Sequence, residues 1–225
     1  MALTNKTPLI SIIIPVYNEA EHISDVINQV KSLTLDYEII VVDDCSTDGT
    51  GEILRSIPDI RITRHKYNQG KGAAVRSGLS LSRGQFTIIQ DADLEYPPEF
   101  IPRLLANIGP SYAIYGSRIK GKGHFLLSSY LANRFLSLLT SVLYRSPISD
   151  METCYKLIRT DLLKTLGLSA NRFEIEPEIT AKILRRGIRI KEIPIRYQAR
   201  KVGKKIGPID GLMAIWSLIK WRFKR

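Results

Sequence analysis

Three carboxylates spaced two apart, Asp91, Asp93 and Glu95, follow the short apolar run Phe86-Thr87-Ile88-Ile89. Bounded by Gly84, that run reads as a buried strand of a parallel sheet. Burial cannot explain carboxylates at its exit, because an unpaired buried carboxylate is costly. A hard divalent cation, Mg²⁺ or Mn²⁺, would take these oxygens as ligands, with a phosphorylated ligand completing its shell. A solvated acidic loop is the alternative reading of a bare Asp-x-Asp. Polar clusters also close two earlier apolar runs: Pro15-Val16-Tyr17-Asn18-Glu19 and Asp43-Asp44. Asn68-Gln69-Gly70-Lys71-Gly72 precedes a helix, where glycines let backbone approach a ligand and the helix start favours an anion. It lacks the spacing of a Walker A loop.

The elements that must position these groups follow from periodicity. Leu9 to Pro15, Glu38 to Asp43, a weaker Ile60 to His65, the run ending at Ile89, and Tyr112 to Ser117 read as strands. Glu21 to Ser32 carries Ile23, Val26, Ile27 and Val30 on one helical face. Ser46 to Thr50 offers turn and capping chemistry for a helix through about Ile57, and Gly70 to Leu81 is a helix of small residues suited to lie on a sheet. Strands alternating with helices predict a mainly parallel α/β sheet with helices on both faces. In such sheets ligands sit outside the carboxyl ends of the strands, where all three polar clusters fall.

After residue 118 the pattern changes. Gly121-Lys122-Gly123 is a flexible loop or a basic surface turn, and Leu126 to Leu143 is an apolar helix interrupted by Asn133 and Arg134, expected to pack in the core, with rest on a membrane surface as the alternative. Tyr155 to Ile158 is a short strand. Phe173 to Arg186 is a helix whose Glu174, Glu176 and Glu178 would complement the dipole of its first turns. Ile188 to Tyr197 alternates as a strand with one wet face. Gly207 to Arg225 reads as an amphipathic helix with Trp216 and Phe223 beside Lys220, Arg222, Lys224 and Arg225. Such a helix suits an anionic lipid surface, with a solvated basic face as the alternative.

Composition narrows the class. The 225 residues bound one sizeable core, and a net charge of +11 calls for a polyanionic partner: phosphates, nucleic acid or an anionic membrane surface. Three carboxylate clusters at strand ends have no use on a nucleic-acid face, so nucleic acid is set aside. Cys45 and Cys154 have no paired spacing, which argues for a reducing compartment and against a disulfide framework or zinc site. No run is apolar for long enough to be a transmembrane helix, and no signal peptide is expected.

Pro15 to Glu19, Val41 to Thr50, Asn68 to Ala74 and Asp91 to Glu99 together resemble the ordered motifs of family 2 glycosyltransferases. Asp91-Ala92-Asp93-Leu94-x-x-Pro97-Pro98-Glu99, Gly116-Ser117-Arg118 and Ile193 to Gly203 are most similar to the dolichyl-phosphate mannose or glucose synthase group. The resemblance implies a GT-A, Rossmann-like fold over 1–206, split into a nucleotide-sugar half at 1–118 and an acceptor half at 119–206, followed by the basic helix at 207–225. It implies a metal-dependent, inverting hexosyltransferase moving mannose or glucose from GDP or UDP to a polyprenyl or dolichyl phosphate. That enzyme would be cytoplasmic, held peripherally at the cytoplasmic face of the membrane, and compatible with a homo-oligomer or a membrane-protein partner. Pro15, Tyr17, Glu19, Asp43, Asp44, Lys71, Asp91 and Ala92 would bind the nucleotide sugar, and Asp91, Asp93 and Glu95 the metal. Arg118, Asn133, Arg134, Ser137 and Arg200 would hold the acceptor phosphate.

Breaking a sugar–diphosphate bond builds oxocarbenium character at carbon and negative charge on the leaving group, which cations stabilise. A lipid phosphate is already anionic and needs positioning more than a base. A hydroxyl acceptor on a glycan or lipid would need a general base, for which Asp150 is the candidate; the alternative is a loop carboxylate that orders its neighbours. Gly203-Lys204-Lys205 and Thr153-Cys154-Tyr155-Lys156 depart from the lipid-phosphate synthase pattern, both on the acceptor side.

Overall fold

A computed structural model describes residues 7–121, 123–200 and 207–224. Sequence expectations on Lys122, on Lys201, Gly203, Lys204 and Lys205, and on Arg225 lie outside the described residues. The apolar β-branched runs form a single seven-stranded sheet. Its strands are β1 (Ile10–Val16), β2 (Tyr37–Asp43), β3 (Arg61–Arg64), β4 (Phe86–Ile89), β5 (Ala113–Ser117), β6 (Lys156–Arg159) and β7 (Lys191–Pro194). The order is β3-β2-β1-β4-β6-β5-β7. The first four are parallel, β6 runs antiparallel to both neighbours, and β7 is parallel to β5. The chain order therefore reverses between β1 and β4, which opens a crevice beyond their carboxyl ends.

Helices α1 (Ile23–Lys31), α2 (Thr50–Ser56) and α3 (Lys71–Leu81) connect the parallel strands. The small residues of α3 let it lie close to the sheet: a Cβ on Gly78 would stand 2.5 Å from Ile13 Cγ2. A 3₁₀ turn at Pro98–Phe100 leads into α4 (Ile101–Ala106), and α6 (Thr160–Thr165) follows β6.

The second half departs from expectation in two places. Helix α5 (Leu127–Tyr144) turns Asn133, Leu136, Ser137 and Thr140 inward, while Leu127, Leu131, Phe135, Leu138 and Val142 are more than half exposed. The expected core helix is thus only partly buried: Leu136 and its polar neighbours face inward, while Leu127, Leu131, Phe135, Leu138 and Val142 face outward. Of the strand expected over Ile188 to Tyr197, only Lys191–Pro194 pairs as β7. Beyond it the N–H of Ile195 reaches the Ser117 carbonyl, and the chain peels away to bridge His124 at Gln198. The alternation of buried Ile193, Ile195 and Tyr197 persists through this turn, which is why the sequence pattern overextends the strand.

Helix α7 (Ile175–Arg185) is buried from Ile175 to Leu184. Helix α8 (Pro208–Phe223) packs on α5 and α7 through Ala214, Ser217, Leu218 and Trp221. Tyr144 donates its hydroxyl to the Leu218 carbonyl at 2.7 Å, and Arg222 Nε donates to the Leu143 carbonyl at 2.8 Å, tying α8 to α5. Among the described residues no helix is long and apolar enough to cross a membrane.

Candidate active site

A cavity of about 670 Å³ lies over the carboxyl ends of β1 and β4, roofed by α5, the entry to α7 and the first turns of α8. Pro15, Tyr17, Glu19, Asp44, Lys71, Asp91, Ala92, Asp93, Glu95, Arg118, Asn133 and Arg200 all line it. Motifs far apart in the chain thus meet in one space.

The turn after β1 is held from outside. Ser46 Oγ accepts the Asn18 N–H, Thr50 Oγ1 the Glu19 N–H and Asp48 Oδ2 the Ala20 N–H, each at 3.0 Å. Ser46, Asp48 and Thr50 therefore brace the Tyr17–Ala20 backbone, and Asp48 Oδ1 also accepts the N–H of Thr50, the first residue of α2, in keeping with the expected turn and capping chemistry.

The paired aspartates after β2 divide. Asp43 is buried, accepts the Ser46 N–H at 2.8 Å, lies 3.3 Å from Arg64 Nε, and does not line the cavity. Asp43, expected to contact the base or ribose, is thus not among the residues lining the cavity, and Asp44 is. Asp44 accepts the N–H groups of Gln69 and Gly70 at 2.9 and 2.7 Å and pairs with His65 Nδ1 at 2.6 Å. It thereby fixes the loop that delivers Lys71. Gly70 has φ +94°, and a Cβ there would stand 2.4 Å from the Asn171 carbonyl, so only glycine fits.

Lys71 Nζ lies 2.7 Å from Asp91 Oδ1 and 3.1 Å from Glu176 Oε1. Burial would pull this ammonium down, but Asp91, Cys154 and Glu176 hold it well above its ordinary value, so it stays charged. Glu176 also pairs with buried Lys156 at 2.6 Å. Glu176 and Glu178 lie in the first turn of α7, as expected, and both are buried as well, Glu176 joining two lysines and Glu178 accepting the Ser169 and Ala170 N–H groups. A helix with no wet face cannot leave a glutamate solvated, and that was the signal for their role.

Asp91 and Asp93 face the cavity, while Glu95 is committed elsewhere. Its Oε2 accepts the Tyr197 hydroxyl at 2.5 Å and its Oε1 the Arg200 N–H at 2.8 Å. The expected metal trio is thus a pair plus a group that anchors the 197–200 segment; among the described residues no three such side chains converge as a metal site. Burial, then the charges of Asp91 and Glu95, push the Asp93 carboxyl up to about 7, opposed by Arg200, whose Nη2 is 3.9 Å away. Carboxylate oxygens crowded closely enough to push Asp93 up are a donor set that fits Mg²⁺ or Mn²⁺, which are commonly held by one or two carboxylates with phosphate and water.

On the opposite wall Arg118 is buried against Asp150. Asp150 Oδ2 accepts Arg118 N and Nε, both at 2.8 Å, and Oδ1 accepts Nη2 at 2.7 Å and Asn133 Nδ2 at 2.8 Å. Tyr197, Phe125 and Tyr96 surround the guanidinium, with ring centroids 5.0, 5.3 and 5.8 Å away. Burial would raise the Asp150 carboxyl, but Arg118 and Asn133 outweigh it and hold it below its usual range. Asp150 is sealed as the counter-ion of Arg118, the loop-ordering alternative, and is not placed to take a proton in the cavity.

Of the other expected acceptor residues, Arg134 is exposed on the outer face of α5. Ser137 bonds Met151 N–H and Asn133 behind the cavity wall. Arg200 reaches the cavity but is held by Glu19, with Nη1 and Nη2 at 3.1 and 3.0 Å from its two oxygens. Glu152, Arg172 and Phe173 also line the space. Sequence reading passed over them because none stands in a motif.

The sequence profile of glycosyl transferase family 2 matches residues 11–167. Among curated relatives, the chain is 28% identical over 224 residues to an undecaprenyl-phosphate mannosyltransferase of Micrococcus luteus, covering 93% of this chain and 92% of that protein. It is 29% identical over 223 residues to an undecaprenyl-phosphate 4-deoxy-4-formamido-L-arabinose transferase of Edwardsiella ictaluri, covering 93% of this chain but 66% of that protein. Among solved structures, glucosyl-3-phosphoglycerate synthase of Mycobacterium tuberculosis, bound to Mn²⁺, UDP and phosphoglyceric acid, superposes with a TM-score of 0.76 at 20% identity, covering 96% of this chain and 79% of that one. A mannosyltransferase of Pyrobaculum calidifontis, bound to GDP-mannose and Mn²⁺, gives 0.64 at 18% identity, covering 98% and 71%.

Proposed function

Because the chain belongs to glycosyl transferase family 2, we propose that it moves a hexose from a nucleoside diphosphate onto a polyprenyl phosphate. One observation carries this reading: the same cavity has Asp91, Asp93 and Lys71 on one wall, with Arg200 3.9 Å from Asp93, and Arg118 on another. A donor diphosphate on the first wall and an acceptor phosphate on the second leave the sugar between them, in line for attack with inversion. Tyr17, Glu19 and Asp44 would seat the nucleoside. Asp91 and Asp93 would hold Mg²⁺ or Mn²⁺, which when bound neutralises charge on the leaving diphosphate. Lys71, kept charged by its carboxylate neighbours, serves the same developing charge from the protein side. Arg118 keeps Asp150 on Nε and Nη2 and has Nη1 for the acceptor, and Arg200 exchanges Glu19 for phosphate. An acceptor that arrives ionised needs no base, which agrees with the sealed state of Asp150.

The test is transfer from radiolabelled GDP-mannose or UDP-glucose to polyprenyl phosphate with Mn²⁺. Label in the organic phase that mild acid releases is the expected result. Label accepted only by a lipid alcohol or glycan hydroxyl overturns the phosphate acceptor.

The lipid acceptor requires a membrane, and the mouth of the cavity supports docking on one. Leu131, Phe135, Leu138 and Val142 on α5 and Ile209, Leu212, Trp216 and Phe223 on α8 are each more than half exposed. Lys220, Arg222 and Lys224 stand on the same helix end. Joined exposed apolar faces beside basic residues suit an anionic bilayer surface. Leu131→Glu combined with Trp216→Glu removes two inserting side chains, together about 3–6 kcal/mol when fully buried. The expected outcome is at least a tenfold loss of binding to phosphatidylglycerol vesicles in sedimentation, without loss of melting temperature. Unchanged sedimentation would remove the docking face from the proposal.

A further inference from the structure

The segment from Ser149 to Lys156 is fixed along its length, yet one carboxyl on it is unsatisfied. Glu192 accepts the N–H groups of Ser149 and Asp150, both at 3.0 Å. Ser137 Oγ accepts the Met151 N–H at 2.9 Å, the Thr153 hydroxyl donates to the Gly116 carbonyl at 2.7 Å, and Tyr96 Oη accepts the Cys154 N–H at 3.1 Å. Lys156 Nζ donates back to the carbonyls of Met151 and Thr153. In the middle stands Glu152, lining the cavity, and its Oε1 is buried with no hydrogen-bond partner among the described residues. An unmade bond of this kind is costly in a folded protein, and a partner supplied by ligand removes the cost.

Its surroundings say what that partner is. The charged groups facing Glu152 are Lys156 on β6, Glu176 on α7, Arg118 after β5, and Asp150 on its own segment. Glu176 touches Lys71, and Lys71 touches Asp91. Glu152 therefore stands between the Lys71–Asp91 corner and the Arg118–Asp150 pair, where the transferred sugar lies if the donor diphosphate and the acceptor occupy the two walls. Burial foremost, with Glu176 and Asp150, pushes this carboxyl up to about 7 against Lys156 and Arg118. Near neutrality such a group both accepts from and donates to hydroxyls. Sugars offer hydroxyls; diphosphate, metal and an isoprenoid chain do not.

We propose that Glu152 is a specificity-determining residue whose carboxyl hydrogen-bonds one hydroxyl of the transferred sugar and so selects the nucleotide sugar that is used. The assignment rests on the donor reading of the cavity and is independent of the acceptor. A site built to bond a hydroxyl discriminates strongly against an analogue that lacks it, because its own buried group is then left unpaired.

The test uses the full chain with Mn²⁺ and slow donor hydrolysis, in which water replaces the acceptor. Failure of polyprenyl phosphate as acceptor therefore leaves the measurement intact. The donor is whichever of GDP-mannose, UDP-glucose and UDP-N-acetylglucosamine the wild type hydrolyses fastest, together with its deoxy-sugar analogues. Glu152→Ala is expected to lower kcat/KM for the parent donor about 10- to 100-fold while leaving the Kd of the nucleoside diphosphate within about twofold. That deficit should vanish for one deoxy analogue, the one missing the bonded hydroxyl. Glu152→Ser, which shortens the side chain beyond reach, should give the same pattern and guards against a folding defect peculiar to one variant. An equal deficit across all deoxy analogues, which a proton-accepting or scaffolding role would give, overturns the proposal. So does a parallel loss of nucleoside diphosphate affinity, or activity within about twofold of wild type.

Discussion

Asp93→Asn is expected to lower kcat/KM for glycosyl transfer by about 10²–10³, or about 2.7–4 kcal/mol of transition-state stabilisation, while leaving the melting temperature equal or higher. The two halves of this result have one cause. Asp93 is largely desolvated beside Asp91 and Glu95, which together push its carboxyl up to about 7 against the charge of Arg200. Folding brings these carboxylates together at a cost, so a neutral amide of the same shape relieves repulsion in the protein without ligands. The same amide is a poor ligand for a hard cation and cannot balance its charge. Kinetics with Mn²⁺ titrated from zero, beside thermal melts with and without Mn²⁺, measure both halves. Activity within about threefold of wild type would remove Asp93 from the metal corner. A drop in melting temperature comparable to the activity loss would make its role structural.

The alternating strands and helices of the first half and the three polar clusters at strand ends were legible in the sequence because both depend on local signals. Apolar β-branched runs mark strands buried on both faces, and polar residues at their exits must go somewhere other than the core. The direction of individual side chains was not legible. Asp43 and Asp44 are adjacent and chemically identical, yet successive residues of an extended chain point to opposite sides, so one meets Arg64 and the other the cavity. Glu95 sits in register with Asp91 and Asp93 but is claimed by Tyr197 and Arg200, more than 100 residues away in sequence. Helix α5 misled for a related reason. Its apolar content predicts burial, but amphipathicity fixes only that its faces differ, not which of them meets the protein. Long-range partners decide these cases, and spacing along the chain carries no record of them.

Removing Asp150 tests the same point with the largest expected effect on stability. Asp150→Ala leaves the Arg118 guanidinium buried without its counter-ion, a change that costs about 3–5 kcal/mol when one member of a buried pair is deleted. For a chain of this size that is a fall in melting temperature of about 6–20 °C. Asn133 and the Arg118 N–H lose their acceptor in the same step, so the walls that α5 and the β5 exit contribute to the cavity loosen together. Replacing both partners, Arg118→Met with Asp150→Leu, is expected to recover much of the lost stability, because it removes the charges instead of orphaning one. Transfer activity should not return with it, since Arg118 would no longer face the acceptor. A general base would behave in the opposite way: Asp150→Ala would lose activity at an unchanged melting temperature, because a group poised to accept a proton from a ligand is not holding the wall behind it together. Thermal melts of the two variants beside their transfer rates distinguish the two roles. The bonds from Arg118 N, Nε and Nη2 and from Asn133 to the two oxygens of one carboxylate predict the first.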